Sequence, residues 1–304
     1  MYRNLKISAN FLLILAFLLF SQSACKNKKD KSNESIYETL DVDIDTAKSK
    51  LVKFNNTLFS VPSPYQLALL VKQVGVKYNK DLLNLTKNQV NYSSNFKKAL
   101  NLGIYGADLT YLNIYEQIPD AVEYFSVIKA LSQDLALSNA FDPEIFKSIE
   151  KNMGNKDSLL YLFSNTYRKA DAFLKNNERD QVAVLIITGG WVEGLYILTQ
   201  TYNENKDSRI INRIGEHKQP LENLIKILSP YYDKSDDYAK LIDGLIDLAY
   251  DFDGINMKYI YKEPTVDTKN KLSIINSKSE LVVTDKQLKV IIEKIMKIRT
   301  DFIN

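Results

Sequence analysis

Two carboxylates stand in glycine-rich segments that are otherwise almost wholly apolar or aromatic. Asp108 lies in Leu102-Gly103-Ile104-Tyr105-Gly106-Ala107-Asp108-Leu109-Thr110-Tyr111, and Glu193 lies in Thr188-Gly189-Gly190-Trp191-Val192-Glu193-Gly194-Leu195-Tyr196. Brought together in a solvent-reachable cleft, about 5–10 Å apart, such a pair could act as general acid and general base of a hydrolase. Each interior helical glycine costs about 1 kcal/mol relative to alanine, so five of them in two helices must be offset by something. One offset is close backbone approach, with both carboxylates paired to tyrosine hydroxyls or lysines. The other is a pocket for which Gly103, Gly106, Gly190 and Gly194 make room. Tyr105, Tyr111, Trp191 and Tyr196 would line it, and Asp108 and Glu193 would accept from a polar or cationic ligand.

Other chemistry is thin. His217 is the only histidine, so a Ser-His-Asp triad would need it, and zinc sites of the usual His and Cys type cannot be assembled. Its neighbours Gly215, Glu216, Lys218 and Gln219 are polar or small, which suggests a surface histidine. Ser94-Asn95-Phe96-Lys97 and Ser148-Ile149-Glu150-Lys151 match the Ser-x-x-Lys spacing of serine-lysine acyl enzymes, without the companion motifs. There is no phosphate-cradling glycine loop and no dinucleotide fingerprint, so no cofactor is expected. The 19 tyrosines raise the possibility of sugar-stacking platforms, but most fall at core-like helical positions.

One cysteine carries a different kind of chemistry. Arg3 and Lys6 precede an apolar run from Phe11 to Phe20, closed by Ser21-Gln22-Ser23-Ala24-Cys25. A basic start, roughly ten apolar residues and small residues before a cleavage point make a secretory signal, too short to span a bilayer. The segment resembles a bacterial lipoprotein lipobox, with residues 1–24 removed and Cys25 lipidated; Gln22 departs from the usual aliphatic residue. Residues 25–50, rich in Lys, Asn, Ser and Asp, would tether a helical domain of residues 51–304 to a membrane. Lys26 resembles the residue found in lipoproteins sent on to the outer membrane. Removing Arg3 and Lys6 lowers the formal charge from +3 to +1, which leaves no electrostatic case for nucleic acid. The remaining partners are the membrane itself and an envelope protein or small-molecule ligand.

The elements that must position these groups are helical. Ser63-Pro64, Ser93 or Ser94, Pro119-Asp120, Asp142-Pro143 and Asp157 or Ser158 each supply a helix start. Val122, Phe125, Ile128, Leu131 and Leu135 form the stripe of the third helix, and Leu159, Phe163, Tyr167, Ala170 and Phe173 that of a fifth. Residues 182–200 are apolar all round and belong at the centre of the bundle. Amphipathic helices follow near 208–228 and 236–252. Leu272–Ile275 and Leu281–Val283 suit a small hairpin around Asn276–Ser279. Thr284 and Gln287 form a capping box before a closing helix striped by Leu288, Ile291, Ile295, Ile298 and Phe302. The expected fold is mainly all-α, a multi-helix bundle with one small β-hairpin before the C-terminal helix.

Several of these segments also carry a likeness. Pro62-Ser63-Pro64, the run Lys98–Leu109, Asn155–Leu160 and Gly189–Tyr196 resemble those of an uncharacterised helical lipoprotein family of the Bacteroidetes type. The resemblance implies a Gram-negative envelope and fits the anchor at Cys25. It implies no activity, substrate or catalytic residue.

Overall fold

Proline in the first turn and glycine beyond the last mark off the first helix. Pro64 opens α1 (Pro64–Gln73), and Gly75, at φ +85°, makes the left-handed turn that stops it. The computed structural model describes residues 50–54, 57–61, 64–137, 143–152, 155, 158, 162, 179–269 and 271–304. The leader, Cys25 and the 25–49 part of the tether lie outside the described residues, as do Leu159, Phe163, Tyr167, Ala170 and Phe173.

The chain continues through α2 (Asn95–Ile114), α3 (Ile118–Asp134), α4 (Pro143–Lys151) and α5 (Asp180–Glu204). It then runs through α6 (Ser208–Gly215), α7 (Lys218–Leu228), α8 (Asp236–Asp253) and α9 (Asp285–Ile303). This is a mainly helical bundle with a small hairpin before the C-terminal helix. Residues 44–304 form one compact unit, which contains the apolar core of the described residues. Helix α5 is its axis: apolar all round, it packs against α1, α2 and α9. By length and composition it could cross a membrane, yet it is wrapped almost completely by the rest of the protein. Its uniform hydrophobicity therefore reports burial inside the body.

Helix starts follow local chemistry. The Ser94 hydroxyl accepts the Lys97 N–H at 3.2 Å and caps α2, which accounts for one of the two Ser-x-x-Lys spacings without catalysis. Thr284 and Gln287 form the expected capping box on α9. Two expectations need correction. In α3 the inward residues include Ala121, Tyr124, Phe125 and Leu131, whereas Val122 is 48% exposed; Tyr124 instead packs edge-on against Tyr105 of α2. The stretch 208–228 is two helices, because Pro220 can occupy only a first turn and forces a new start after Glu216.

Strand pairing also differs from the simple expectation. Leu272–Ile274 (β5) pairs antiparallel with Thr265–Asp267 (β4), and Lys278–Val282 (β6) pairs with Asn256–Ile260 (β3). The two ladders are stacked segments of one long hairpin spanning 256–282. Between them Asn276 Nδ2 donates to Glu263 O and Thr265 Oγ1, and Ser277 Oγ bonds both the N–H and the carbonyl of Lys262. Polar residues at 276–277 thus bridge the strands and do not form the turn. A further ladder, Lys50–Phe54 (β1) with Thr57–Val61 (β2), precedes α1.

Candidate functional site

The glycines of the two candidate segments meet at the crossing of α2 and α5. A Cβ on Gly103 would lie 2.0 Å from Ile186 O, and one on Gly189 would lie 1.9 Å from Leu100 O. Only glycine lets the two backbones approach this closely, and the dense packing of one backbone on the other offsets the helical cost of these residues. Gly194 lies against Leu67 of α1, while Gly106 has no atom within 4 Å of its Cβ position. Close packing, the first of the two offsets, accounts for Gly103, Gly189, Gly190 and Gly194. A narrow crevice beside the crossing, without room for a water molecule, is bordered by Pro64, Leu67, Ala107, Tyr111, Gly194 and Ile197 among others, nearly all apolar; neither carboxylate lines it.

Both carboxylates are completely buried. Glu193 meets Arg299 of α9 in a two-pronged ion pair: Nε donates to Oε2 and Nη2 to Oε1, each at 2.9 Å. The same Nη2 donates to Leu82 O at 3.0 Å, and the guanidinium lies 4.4 Å from the centre of the Tyr196 ring. The planar fork satisfies the carboxylate in a way lysine could not. Burial opposes the charge on Arg299, but Glu193 outweighs it and holds the guanidinium above its ordinary pKa.

Asp108 shares this environment without a cation of its own. Its Oδ2 accepts the Asn84 N–H at 3.1 Å, and Oδ1 has no hydrogen-bond donor among the described residues. Desolvation raises its pKa well above the usual carboxylate range, and the neighbouring Glu193 pushes the same way, against Arg299. Burial beside Glu193 thus favours the protonated form of Asp108.

Around this cluster a polar network fastens the segment 79–92, which holds two short 3-10 helices (Lys80–Leu82 and Thr86–Asn91), to the α-helices. Asn84 Nδ2 donates to Tyr92 Oη at 2.9 Å and to Asn101 Oδ1 at 3.3 Å. Asn101 Nδ2 in turn donates to Phe302 O at 2.9 Å, joining α2 to the end of α9. Tyr105 Oη donates to Leu85 O at 2.9 Å.

The six candidate ligand residues thus go to different places. Asp108, Glu193 and Tyr196 gather around Arg299. Tyr105 packs against Tyr124, and Tyr111 stacks 4.7 Å from Tyr115 while its hydroxyl accepts the Asn79 N–H. Trp191 lies 5.6 Å from His217. The surface reading of His217 is overturned: the break between α6 and α7 turns it inward, fully buried beneath Trp191. Neither ring nitrogen has a partner among the described residues, nor has Trp191 Nε1. Desolvation, helped by Arg213, lowers the histidine pKa to about 3, so it is neutral.

Arg299, Asn84 and Asn101 are the site residues that sequence reasoning missed. Arg299 had a signal, since 288, 292, 295, 299 and 302 follow spacings of four and three along the buried face of α9. A cation on that stripe needs a buried anion. Among the described residues no group of three His, Cys, Asp or Glu side chains is placed to hold a metal ion. No protein-family model, curated protein or solved structure matches the chain.

Proposed function

We propose that this chain is a lipid-anchored cell-envelope protein whose helical body is a non-enzymatic binding or scaffold module. The observation that carries the reading is the register of the sole cysteine with the end of the apolar leader: Cys25 follows Ser21-Gln22-Ser23-Ala24 directly. Several acyl chains, at about 0.8 kcal/mol per buried methylene, hold such a product on a membrane essentially permanently. Lys26 favours the outer membrane of a Gram-negative cell. The partners of the body are then an envelope protein or a small molecule, with no nucleic acid.

The geometry of the two carboxylates supports a non-enzymatic reading over a hydrolase. A general acid and base must reach a substrate proton and leave room for water. Glu193 has both oxygens engaged by Arg299, Asp108 is sealed beside it, and the nearby crevice presents apolar walls.

Palmitate labelling in the native host tests the anchor. The parent is expected to take up label and to fractionate with membranes, whereas Cys25→Ala loses the label and keeps its leader or becomes soluble. Equal labelling of both, or a soluble and fully processed parent, would overturn the reading.

A further inference from the structure

The long hairpin 256–282 is rooted on the body at one end only. At its base the Leu281 N–H donates to Asn212 Oδ1 at 3.0 Å, and the Leu281 side chain fills the space left by the missing side chain of Gly215. Farther out the burial ends: of the described residues from Tyr261 to Asn276 all but Asp267 are exposed. Apolar side chains nevertheless persist along this part, with Ile275 at 79% exposure, Tyr261 at 67% and Val266 at 61%. Leu272 and Ile274 share one face of the outer ladder, and both are about half exposed. An isolated two-stranded ladder is marginal in water, and clustered exposed apolar residues mark a surface that meets something.

Charge identifies what it meets. The arm carries Lys258, Lys262, Lys269, Lys271 and Lys278 against Glu263, Asp267 and Glu280, a net +2 in a chain whose residues 26–304 total only +1. The remainder of that chain is therefore net negative, and the positive excess is concentrated in the arm. Lys278 pairs with Glu280 near the base. Lys269 and Lys271 lie in the turn at the tip, where Asp267 Oδ1 accepts the Lys269 N–H and Lys271 takes φ +52°. Protein interfaces deplete lysine at their centres, whereas lysine mixed with tyrosine and isoleucine suits the boundary of a charged bilayer. There the apolar side chains enter the acyl region and the ammonium groups remain among phosphates.

We propose that the 256–282 arm docks on an anionic phospholipid surface, tip first, through Lys269, Lys271, Leu272, Ile274 and Ile275. This goes beyond the anchor reading and uses it only to explain how the arm comes within reach of a bilayer.

The test uses residues 26–304, which lack Cys25 and retain the compact unit 44–304 with its core. Sedimentation with vesicles of phosphatidylglycerol and phosphatidylethanolamine is compared with sedimentation with phosphatidylcholine alone. The chain is expected to pellet with the anionic vesicles and to partition at least about tenfold more weakly onto the neutral ones. Lys269→Glu with Lys271→Glu, and separately Ile274→Ser with Ile275→Ser, should each reduce anionic partitioning at least about tenfold while the melting temperature is kept. Absence of pelleting by the parent, or unchanged pelleting of both variants, would overturn the proposal. So would a concentration-dependent dimer in light scattering that the apolar variant abolishes, since a second copy would then cover the arm. Because Cys25 is absent, failure of the palmitate experiment and failure of this one are independent.

Discussion

The α2–α5–α9 cluster and the 256–282 arm both place charges beside aromatic and aliphatic side chains, and they use them in opposite ways. In the cluster Glu193, Arg299 and Tyr196 close on one another, and burial disfavours the charge of Asp108. In the arm Lys269 and Lys271 remain in water next to Leu272 and Ile274. The contrast teaches that a carboxylate in a glycine-rich apolar segment is no sign of a site by itself. What decides is whether its partner comes from the same protein. Here the interior supplies its own cation, and the surface leaves its cations available.

The largest way to break the contrast is to force the crossing apart. Gly189→Ala places a methyl group against Leu100 O, and overpacking between two backbones is expected to cost about 3 kcal/mol or more, read as urea-unfolding free energy. Gly106→Ala in the same glycine-rich run should do the reverse, since its Cβ position is open and removing a helical glycine gains about 1 kcal/mol.

Acid should act next, through His217. Its folded pKa of about 3 lies below the unfolded value of about 6.5, so the stability it contributes is complete above pH 6.5 and is lost as pH falls toward 3. The loss amounts to about 2 kcal/mol at pH 5. His217→Phe should flatten that limb of a stability-versus-pH curve, and an unchanged slope would place the histidine elsewhere. Asp108 acts in the other direction. Its folded pKa is raised, so its contribution is complete below the unfolded value of about 3.9 and is lost as pH rises through the folded one. Asp108→Asn mimics the neutral acid. It should remove this decline and be at least as stable as the parent at pH 8 in the same titration.

The smallest effect belongs to the arm. Lys278 and Glu280 form an exposed pair on adjoining positions of one face, so Lys278→Ala should change stability by less than about 1 kcal/mol, read from thermal melting. A larger loss would mean the arm is part of the folding unit and not an appendage.

Much of the frame was legible because helix ends are local. The helix start at Ser93 or Ser94 and the capping box of Thr284 with Gln287 read directly from local sequence, and the apolar stretch 182–200 announced the axial helix. The glycine residues announced a special crossing as well, but its nature depended on Ile186 O standing where a Cβ of residue 103 would be, which no spacing encodes. His217 was misplaced because polar neighbours say nothing of burial at a helix break. The strand partners were missed because short apolar runs choose each other in space, and Asn276 and Ser277 serve as bridges where composition suggested a turn. Arg299 was the readable residue left unread: it stands on the buried stripe of α9, and a cation there requires an anion such as Glu193.

Unfolding of Glu193→Gln, Arg299→Met and their combination tests most directly that the carboxylates serve the fold. Each single change leaves a buried charge unpaired and should cost about 3–5 kcal/mol, while the double variant should cost clearly less than the sum, by about 2 kcal/mol or more. A Glu193→Gln protein as stable as the parent, or strictly additive costs, would contradict the account and return Glu193 to the candidates for a ligand or a reaction.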